Sequence, residues 1–440
     1  MPSLITGPSL WSAVANVAAF RRDPLSLMDR MAVQYGPVVK VPFAWLTRYL
    51  VNDPAMARQI LQLPHTAANK DTRSVRLLRY CAAESVLTAN GESWFHRRRL
   101  VQPAFHHRRM EALPSLMAEL CDQMLVHWRT QPHIEAHDEM TRLTFTLICR
   151  VLFADAPVSA AADMQSPVTL VLATLWKAVL SPLQTPLWSL TRSRRRFDAA
   201  LAGIDAFIHD QIRRRRESGG DGHGDLLQML LDSRDADTGE AMSDEQVRNE
   251  CITMLIAGHE TTANALTWAL LLLAEHPHEL SLLREEVNSV LGERSPGLED
   301  LARLPRTRAV FMEAMRLYPP IWLMERNLDV PMDSSGISLP AGAQLLISPW
   351  VLHRLPEYWI EPERFNPSRF LTPGAEDNPA FLPFGTGPRV CIGRHLAIWE
   401  GIVFLAMIVR RASLERVDQV RVPVEPGISL RPGREIILRV

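Results

Sequence analysis

The chain has 440 residues, 47 % hydrophobic and 22 % charged, with a formal net charge of −1. That composition excludes a disordered or fibrous chain, and the balanced charge gives no sign of nucleic acid or of an acidic substrate. Five widely spaced cysteines (Cys81, Cys121, Cys149, Cys251 and Cys391), with no Cys-x-x-Cys pair, argue against a disulfide framework and a zinc ribbon. They point to a reducing, cytoplasmic setting.

Residues 10–20 form an apolar patch broken by Ser12 and Asn16, too short to span a bilayer and without a basic leader. Leu10, Trp11, Val14 and Phe20 leave weak peripheral membrane contact open. Short β-like runs follow, Val38-Val39-Lys40-Val41 and Tyr49-Leu50-Val51, between helical stretches. From residue 94 to 211 apolar residues recur at three and four, the helical period. Within Trp94-Phe95-His96-Arg97-Arg98, one turn separates Trp94 from Arg98, so both can face one ligand, and an arginine fork suits a carboxylate. Residues 217–224, Glu-Ser-Gly-Gly-Asp-Gly-His-Gly, read as a connection between helices, because helical patterning resumes at Leu226.

Ser243-Asp244-Glu245-Gln246 has the form of a capping box. The helix it opens is expected to stop before Pro277, giving about 33 residues, or ~50 Å, enough to cross the molecule. Its middle is apolar nearly all round and is expected to be buried. A membrane-spanning reading of residues 252–274 is weakened by the central His259, Glu260, Thr261, Thr262 and Asn264. In Ala257-Gly258-His259-Glu260-Thr261-Thr262, a glycine inside a helix asks for a reason: it lets something flat approach the backbone. Thr261 is placed to hydrogen-bond back to the Ala257 carbonyl and open the helix locally.

Glu313 and Arg316 share one face of a helix at residues 305–317, which ends in Tyr318-Pro319-Pro320. About 45 residues on comes Pro362-Glu363-Arg364-Phe365. Prolines and strand-like runs fill residues 319–349, and a β-like segment, residues 428–440, closes the chain. Between them lies Phe384-Gly385-Thr386-Gly387-Pro388-Arg389-Val390-Cys391-Ile392-Gly393, a Gly/Pro-punctuated loop that leads Cys391 into a helix. A helix start favours thiolate, the metal-binding form of cysteine.

The pattern Phe-x-x-Gly-x-Arg-x-Cys-x-Gly resembles the haem-binding loop of the cytochrome P450 family. The other motifs follow in that family's order from Trp94 to Gly393. The resemblance implies one domain over residues 1–440, mainly α with a small β region. The β-rich portions fall at about 35–65, 319–350 and 420–440, and the helical portions at about 90–318 and 392–412. Haem b is to lie between the long helix and the cysteine loop. The resemblance makes Cys391 the iron ligand and Glu260 and Thr261 the acid–alcohol pair that holds dioxygen and water and relays protons. Trp94, Arg98, Arg326, Phe384, Arg389, Gly393, Ala257 and Gly258 are to contact the haem. Glu313, Arg316 and Arg364 are to form a structural network behind the cysteine.

By the same resemblance the substrate pocket takes residues 66–92 and 169–190 together with Ile256, Ala257, Pro320, Ile321, Trp322, Leu323, Ile428 and Ser429. It implies a monooxygenase that hydroxylates or epoxidises a hydrophobic fatty acid, terpenoid, steroid or polyketide. No Gly-x-Gly-x-x-Gly follows a strand and no length is left for a flavin domain, so a separate ferredoxin or flavodoxin with an NAD(P)H-dependent reductase is implied. Arg97, Arg99 and Arg394 would dock an acidic donor. The expected state is a monomer without a transmembrane anchor. A peroxide-driven peroxygenase and a haem gas or redox sensor remain as alternatives, and the Glu260–Thr261 pair argues against both.

Overall fold

The computed structural model describes residues 5–43, 46–106, 110–157, 162–180, 192–219, 224–235 and 237–440. Its axis is the helix Asp244–Glu275, which runs 32 residues. Ser243 Oγ accepts from the Gln246 N–H while the Gln246 side chain accepts from the Ser243 N–H, so the expected capping box opens it. Pro277 starts the next helix, Pro277–Leu291.

Apolar residues cover almost every side of this helix, so it needs partners all round, and the helices Ala136–Leu152, Pro305–Leu317 and Arg394–Arg411 supply them. Thr144 donates to the His259 carbonyl (3.1 Å), and His259 meets Phe145 edge-on at 5.0 Å. Trp268 stacks flat on Tyr318, centroids 4.0 Å apart. The segment after Arg192–Glu217 does join two helices: Arg215 clamps Asp225, the N-cap of Leu226–Asp232, with bonds of 2.6 and 2.7 Å. Residues 220–223 of that connection lie outside the described residues.

The two early β runs and the late one meet in one sheet. Its order is Val38–Phe43, Leu46–Val51, Gln344–Ile347, Met324–Leu328, Ala68–Asn69. Only the contact between Leu46–Val51 and Gln344–Ile347 is parallel. The C-terminal β segment divides in two. Leu430–Pro432 pairs with Val424–Pro426, and Ile437–Arg439 lies between His133–Glu135 and Glu415–Arg416.

Helices are also more widespread than the sequence patterning suggests. Ala13–Arg22, Pro24–Tyr35 and Arg73–Ala82 precede residue 90, and Pro54–Gln62 interrupts the β-rich stretch 35–65. Asp53-Pro54 carries the reason: Asp53 accepts from the Met56 N–H (2.6 Å) as N-cap, and Pro54 takes the first helical turn.

Two packing features generate predictions. A Cβ on Gly401 would sit inside van der Waals contact of the fully buried Phe311 ring. Gly401→Ala is expected to force these helices apart and lower stability by about 1–3 kcal/mol, despite alanine's better helix propensity; urea unfolding measures it. Glu250, fully buried in the central helix, accepts from the Val86 N–H at 3.0 and 3.1 Å. Burial pushes its carboxyl from 4.5 up to about 7, against the pull of the Val86 N–H and Arg97. Between those values the folded protein binds more protons than the unfolded chain, so this group's contribution falls as pH rises. Glu250→Gln removes that dependence. Its stability relative to wild type is expected to rise from pH 5 to pH 7, by an amount on the order of 2 kcal/mol.

Candidate active site

The cysteine loop is shaped by two left-handed glycines, Gly385 at φ 67° and Gly387 at φ 73°. The loop also presses on the end of Pro54–Gln62, where a Cβ at residue 387 would come within 2.7 Å of Gln62 Cα and closer still to the Leu61 carbonyl. Both constraints exclude larger residues at 387. The Cys391 N–H donates to the Phe384 carbonyl (3.0 Å), closing the loop, and Cys391 itself is exposed on one side. Its thiol is held above the ordinary value: burial of the sulfur's surroundings outweighs the Gly393 N–H and the Arg98 and Arg394 guanidinium groups. The helix start alone therefore does not deliver a thiolate; a coordinated metal would do so outright.

A buried cationic corner lies beside this loop. Arg389 stacks over Trp94 (4.3 Å) and donates to the Ala89 carbonyl (2.9 Å), while its Nη1 is buried without a hydrogen-bond partner. Arg98 donates to the Val390 carbonyl at 3.1 Å. Burial, then repulsion from Arg326 and Arg98, pulls Arg389 down to about 9. Burial takes Arg326 to about 10. Lys70, which the sequence reading passed over, falls well below the usual lysine value through burial and then repulsion from Arg326 and Arg389. Like charges crowded in a dry corner, one with an orphaned donor, are a site for anions. Two carboxylates of a porphyrin fit it.

On the central helix Thr261 Oγ1 donates to the Ala257 carbonyl at 2.9 Å, as its position predicts. Ala257 is exposed in the middle of an otherwise buried helix. The Cβ direction of Gly258 points at Ile148 of the neighbouring helix, 3.0 Å away, so the missing side chain gives the two helices room to pack. Glu260 is held by Ser429, whose hydroxyl donates to Oε1 at 2.8 Å. Asn264 donates to that hydroxyl (2.8 Å), and the Asn264 Oδ1 meets His137 Nε2 at 3.0 Å. Burial raises the Glu260 carboxyl, partly opposed by Ser429. Behind the pair, Thr262 bonds Glu400 of the cysteine-loop helix, whose carboxyl burial holds well above its normal value.

The Glu313–Arg316 pair is fully buried and bidentate, at 2.7 and 2.8 Å. Arg364 takes part only through its backbone carbonyl, which accepts from Arg316 at 3.2 Å; its side chain faces out to Glu361. The third guanidinium is that of Arg369, 3.2 Å from Glu313 Oε1. The sequence holds a second Pro-x-Arg-Phe run, Pro367-Ser368-Arg369-Phe370, which carried that signal. His353 was also missed. Its Nδ1 faces the Arg316 carbonyl (3.1 Å) and its Nε2 accepts from the Leu382 N–H (2.9 Å), joining the pair to the run before the cysteine loop. Burial lowers its pKa to about 3, so the bridge is neutral.

The expected pocket residues divide. Leu323 lines a cavity of about 760 Å³, together with Arg326. Trp322 is buried behind it, with Nε1 on the Gly427 carbonyl (3.0 Å), and the Pro320 carbonyl accepts from Leu430. Ser429 is buried at Glu260 rather than in that cavity, and Ile256 belongs to the core. Ile321 and Ile428 are half-buried. Residues 181–190 of the expected wall lie outside the described residues. The basic docking set also changes: Arg97 is buried against Glu84 and Glu250, and Arg99 pairs with Asp237, leaving Arg394 exposed.

A cysteine in a rigid loop, a buried cationic corner and a helix bearing an alcohol–acid pair are what an oxygen-activating haem-thiolate protein requires. The cytochrome P450 family model matches residues 5–439, and the chain belongs to that family. It is 32 % identical to cyclooctatin synthase of Streptomyces melanosporofaciens over 418 residues, 94 % of this chain and 90 % of the relative. To cyclooctat-9-en-7-ol 5-monooxygenase of the same organism it is 32 % identical, with 94 % and 90 % covered. Pentalenene oxygenase of Streptomyces avermitilis is 30 % identical, with 97 % and 93 % covered. The protein is accordingly a haem b monooxygenase acting on a hydrophobic small molecule with dioxygen and electrons from a redox partner. Among the described residues no helix is long and apolar enough to cross a membrane.

The charge network yields a graded expectation. Arg316→Leu strands a buried Glu313 and is expected to cost about 3–5 kcal/mol. Arg369→Leu removes the hydrogen bond to Glu313 and those to the Glu361 and Arg364 carbonyls, leaves the Glu313–Arg316 pair intact and is expected to cost about 1–3 kcal/mol, and the exposed Arg364→Leu stays within about 0.5 kcal/mol. Urea unfolding and haem content of the three variants, compared side by side, check the order.

Proposed function

We propose that Cys391 supplies the thiolate to haem iron, that Lys70, Arg98, Arg326 and Arg389 hold the propionates, and that Glu260 and Thr261 deliver protons to the oxygen being cleaved. The observation that carries this reading is the orphaned Arg389 Nη1 in a corner of like charges beside the cysteine loop. When bound, the haem supplies the oxygen chemistry, with the thiolate favouring O–O cleavage.

The chain supplies position and protons. Thr261 commits its hydrogen to Ala257, which leaves its lone pairs free to accept from a water and so to hold that water as the proton donor beside the oxygen being cleaved. Glu260, raised by burial, keeps its proton further toward neutrality than a surface carboxylate and can pass it on. Ser429 and Asn264 fix the carboxyl in one orientation, and half-buried His137 ends that chain of hydrogen bonds. The substrate is a fatty acid, terpenoid, steroid or polyketide; the likeness to cyclooctat-9-en-7-ol 5-monooxygenase and pentalenene oxygenase supports the terpenoid class among these. Electrons come from a ferredoxin or flavodoxin docking near Arg394, and the enzyme works as a cytoplasmic monomer folded as one domain.

The reduced, carbon-monoxide-bound protein is expected to show a strongly red-shifted Soret band that Cys391→Ser abolishes. Thr261→Ala is expected to lower product per NAD(P)H by roughly tenfold or more while electron consumption continues. Ser429→Ala is expected to move in the same direction by less and to shift the pH profile of coupling. Unchanged product per NAD(P)H in Thr261→Ala would sink the proton-delivery assignment.

A further inference from the structure

The 760 Å³ cavity is unusual in its charge. Phe20, Phe43, Leu77, Trp176, Val179 and Leu323 give it an apolar body, within the usual size of a small-molecule pocket. Its polar wall carries Arg21, Arg48, Arg73, Arg76, Arg79 and Arg326 beside neutral Thr72, Ser74, Asn327 and Gln344, and among the described residues Glu325 is its one carboxylate. Some of these are engaged. Arg76 and Arg79 share Asp71 at 3.2 and 3.0 Å, Arg73 donates to the Ala178 carbonyl at 3.0 Å, and Arg326 belongs to the cationic corner. Arg48 lies over the Phe43 ring, 5.5 Å from its centroid, and makes no ion pair among the described residues. It is close enough to Arg73 for the two, with Arg76, to repel: burial first, then both neighbours, lower the Arg73 value.

For a purely hydrocarbon substrate this wall is a penalty, because filling the cavity strips water from a guanidinium without replacing its partner. An anionic end reverses the sign. A guanidinium fork binds carboxylate, sulfonate or phosphate in two parallel bonds, and the half-enclosed apolar surroundings strengthen the attraction.

We propose that this cavity takes an apolar small molecule bearing one acidic group, held at Arg48 beside Arg73, with its apolar body lying along Trp176 and Leu323. The inference rests on the monooxygenase reading and narrows its substrate to acid-bearing amphiphiles. Arg48 is then a specificity-determining residue; it touches neither the cysteine loop nor the acid–alcohol pair.

The test is equilibrium dialysis of the haem-loaded protein, at low ionic strength, with dodecanoate and with dodecanol, which share a chain and differ in charge. Dodecanoate is expected to bind at least tenfold more tightly, and to lose that advantage in Arg48→Gln and in high salt, while dodecanol binding stays unchanged. Arg48→Lys, which keeps the charge without the fork, is expected to restore part of the preference. Equal binding of the two probes, or a preference that survives both Arg48→Gln and Arg73→Gln, overturns the proposal. Dialysis reads binding without reference to haem, whereas the carbon-monoxide spectrum reads the thiolate. A preference with no red-shifted band would uphold the acid site and sink the haem reading, and the reverse pair of results would do the opposite.

Discussion

The bidentate pair of Glu313 and Arg316 holds this molecule's working parts in register. Both side chains are fully buried, so each would be costly alone, and the pair is tolerable because all five guanidinium N–H groups and both carboxylate oxygens have partners. Glu313 Oε1 also accepts from the Asn366 N–H (2.9 Å) and from Arg369. Arg316 also donates to the carbonyls of His353, Pro362 and Arg364 and lies 5.2 Å from the Trp359 ring centroid. Two side chains on one helical turn thus bind a helix to an irregular stretch of chain some fifty residues away. Irregular backbone has no ladder of its own to fix it, and this hub takes the ladder's place.

From the hub the constraint passes to the cysteine. His353 joins the Arg316 carbonyl to the Leu382 N–H, two residues before Phe384, whose carbonyl accepts from Cys391. On the other side, Gly401 lets the helix leaving the cysteine loop press against Phe311 of the Glu313–Arg316 helix. The cysteine is therefore held from its upstream loop and its downstream helix by the same element. Electrostatics completes the site by opposite means on its two sides: crowded cations near Arg389 lose affinity for protons, while buried carboxyls at Glu260 and Glu400 gain it.

What the sequence disclosed was whatever depends on near neighbours along the chain. The Ser243 capping box, the Thr261 back-bond and the Glu313–Arg316 pair all span three or four residues, and each stands in the structure as its spacing requires. Contacts between distant segments were hidden. Arg364 and Arg369 sit in equally good Pro-x-Arg-Phe runs, and only the path of the chain decides which guanidinium points inward. The packing of Gly258 against Ile148 was hidden because the two are over a hundred residues apart in sequence. Ser429 and Asn264 meet at a separation of 165 residues, which no periodicity encodes. The N-terminal part of the cavity wall, with Phe20, Phe43 and Arg48, was invisible for the same reason.

His353 shows how narrowly such a scaffold can drift over evolutionary time. It is fully buried and serves as donor at one nitrogen and acceptor at the other. Leucine or phenylalanine there would leave a carbonyl and an N–H unmatched, and lysine would bring only donors. Only a side chain offering both roles from one stem, such as glutamine or asparagine, can succeed the imidazole, and neither reproduces the rigid spacing of a ring. A designer reshaping this enzyme for new substrates has wide freedom around the cavity and almost none at residue 353.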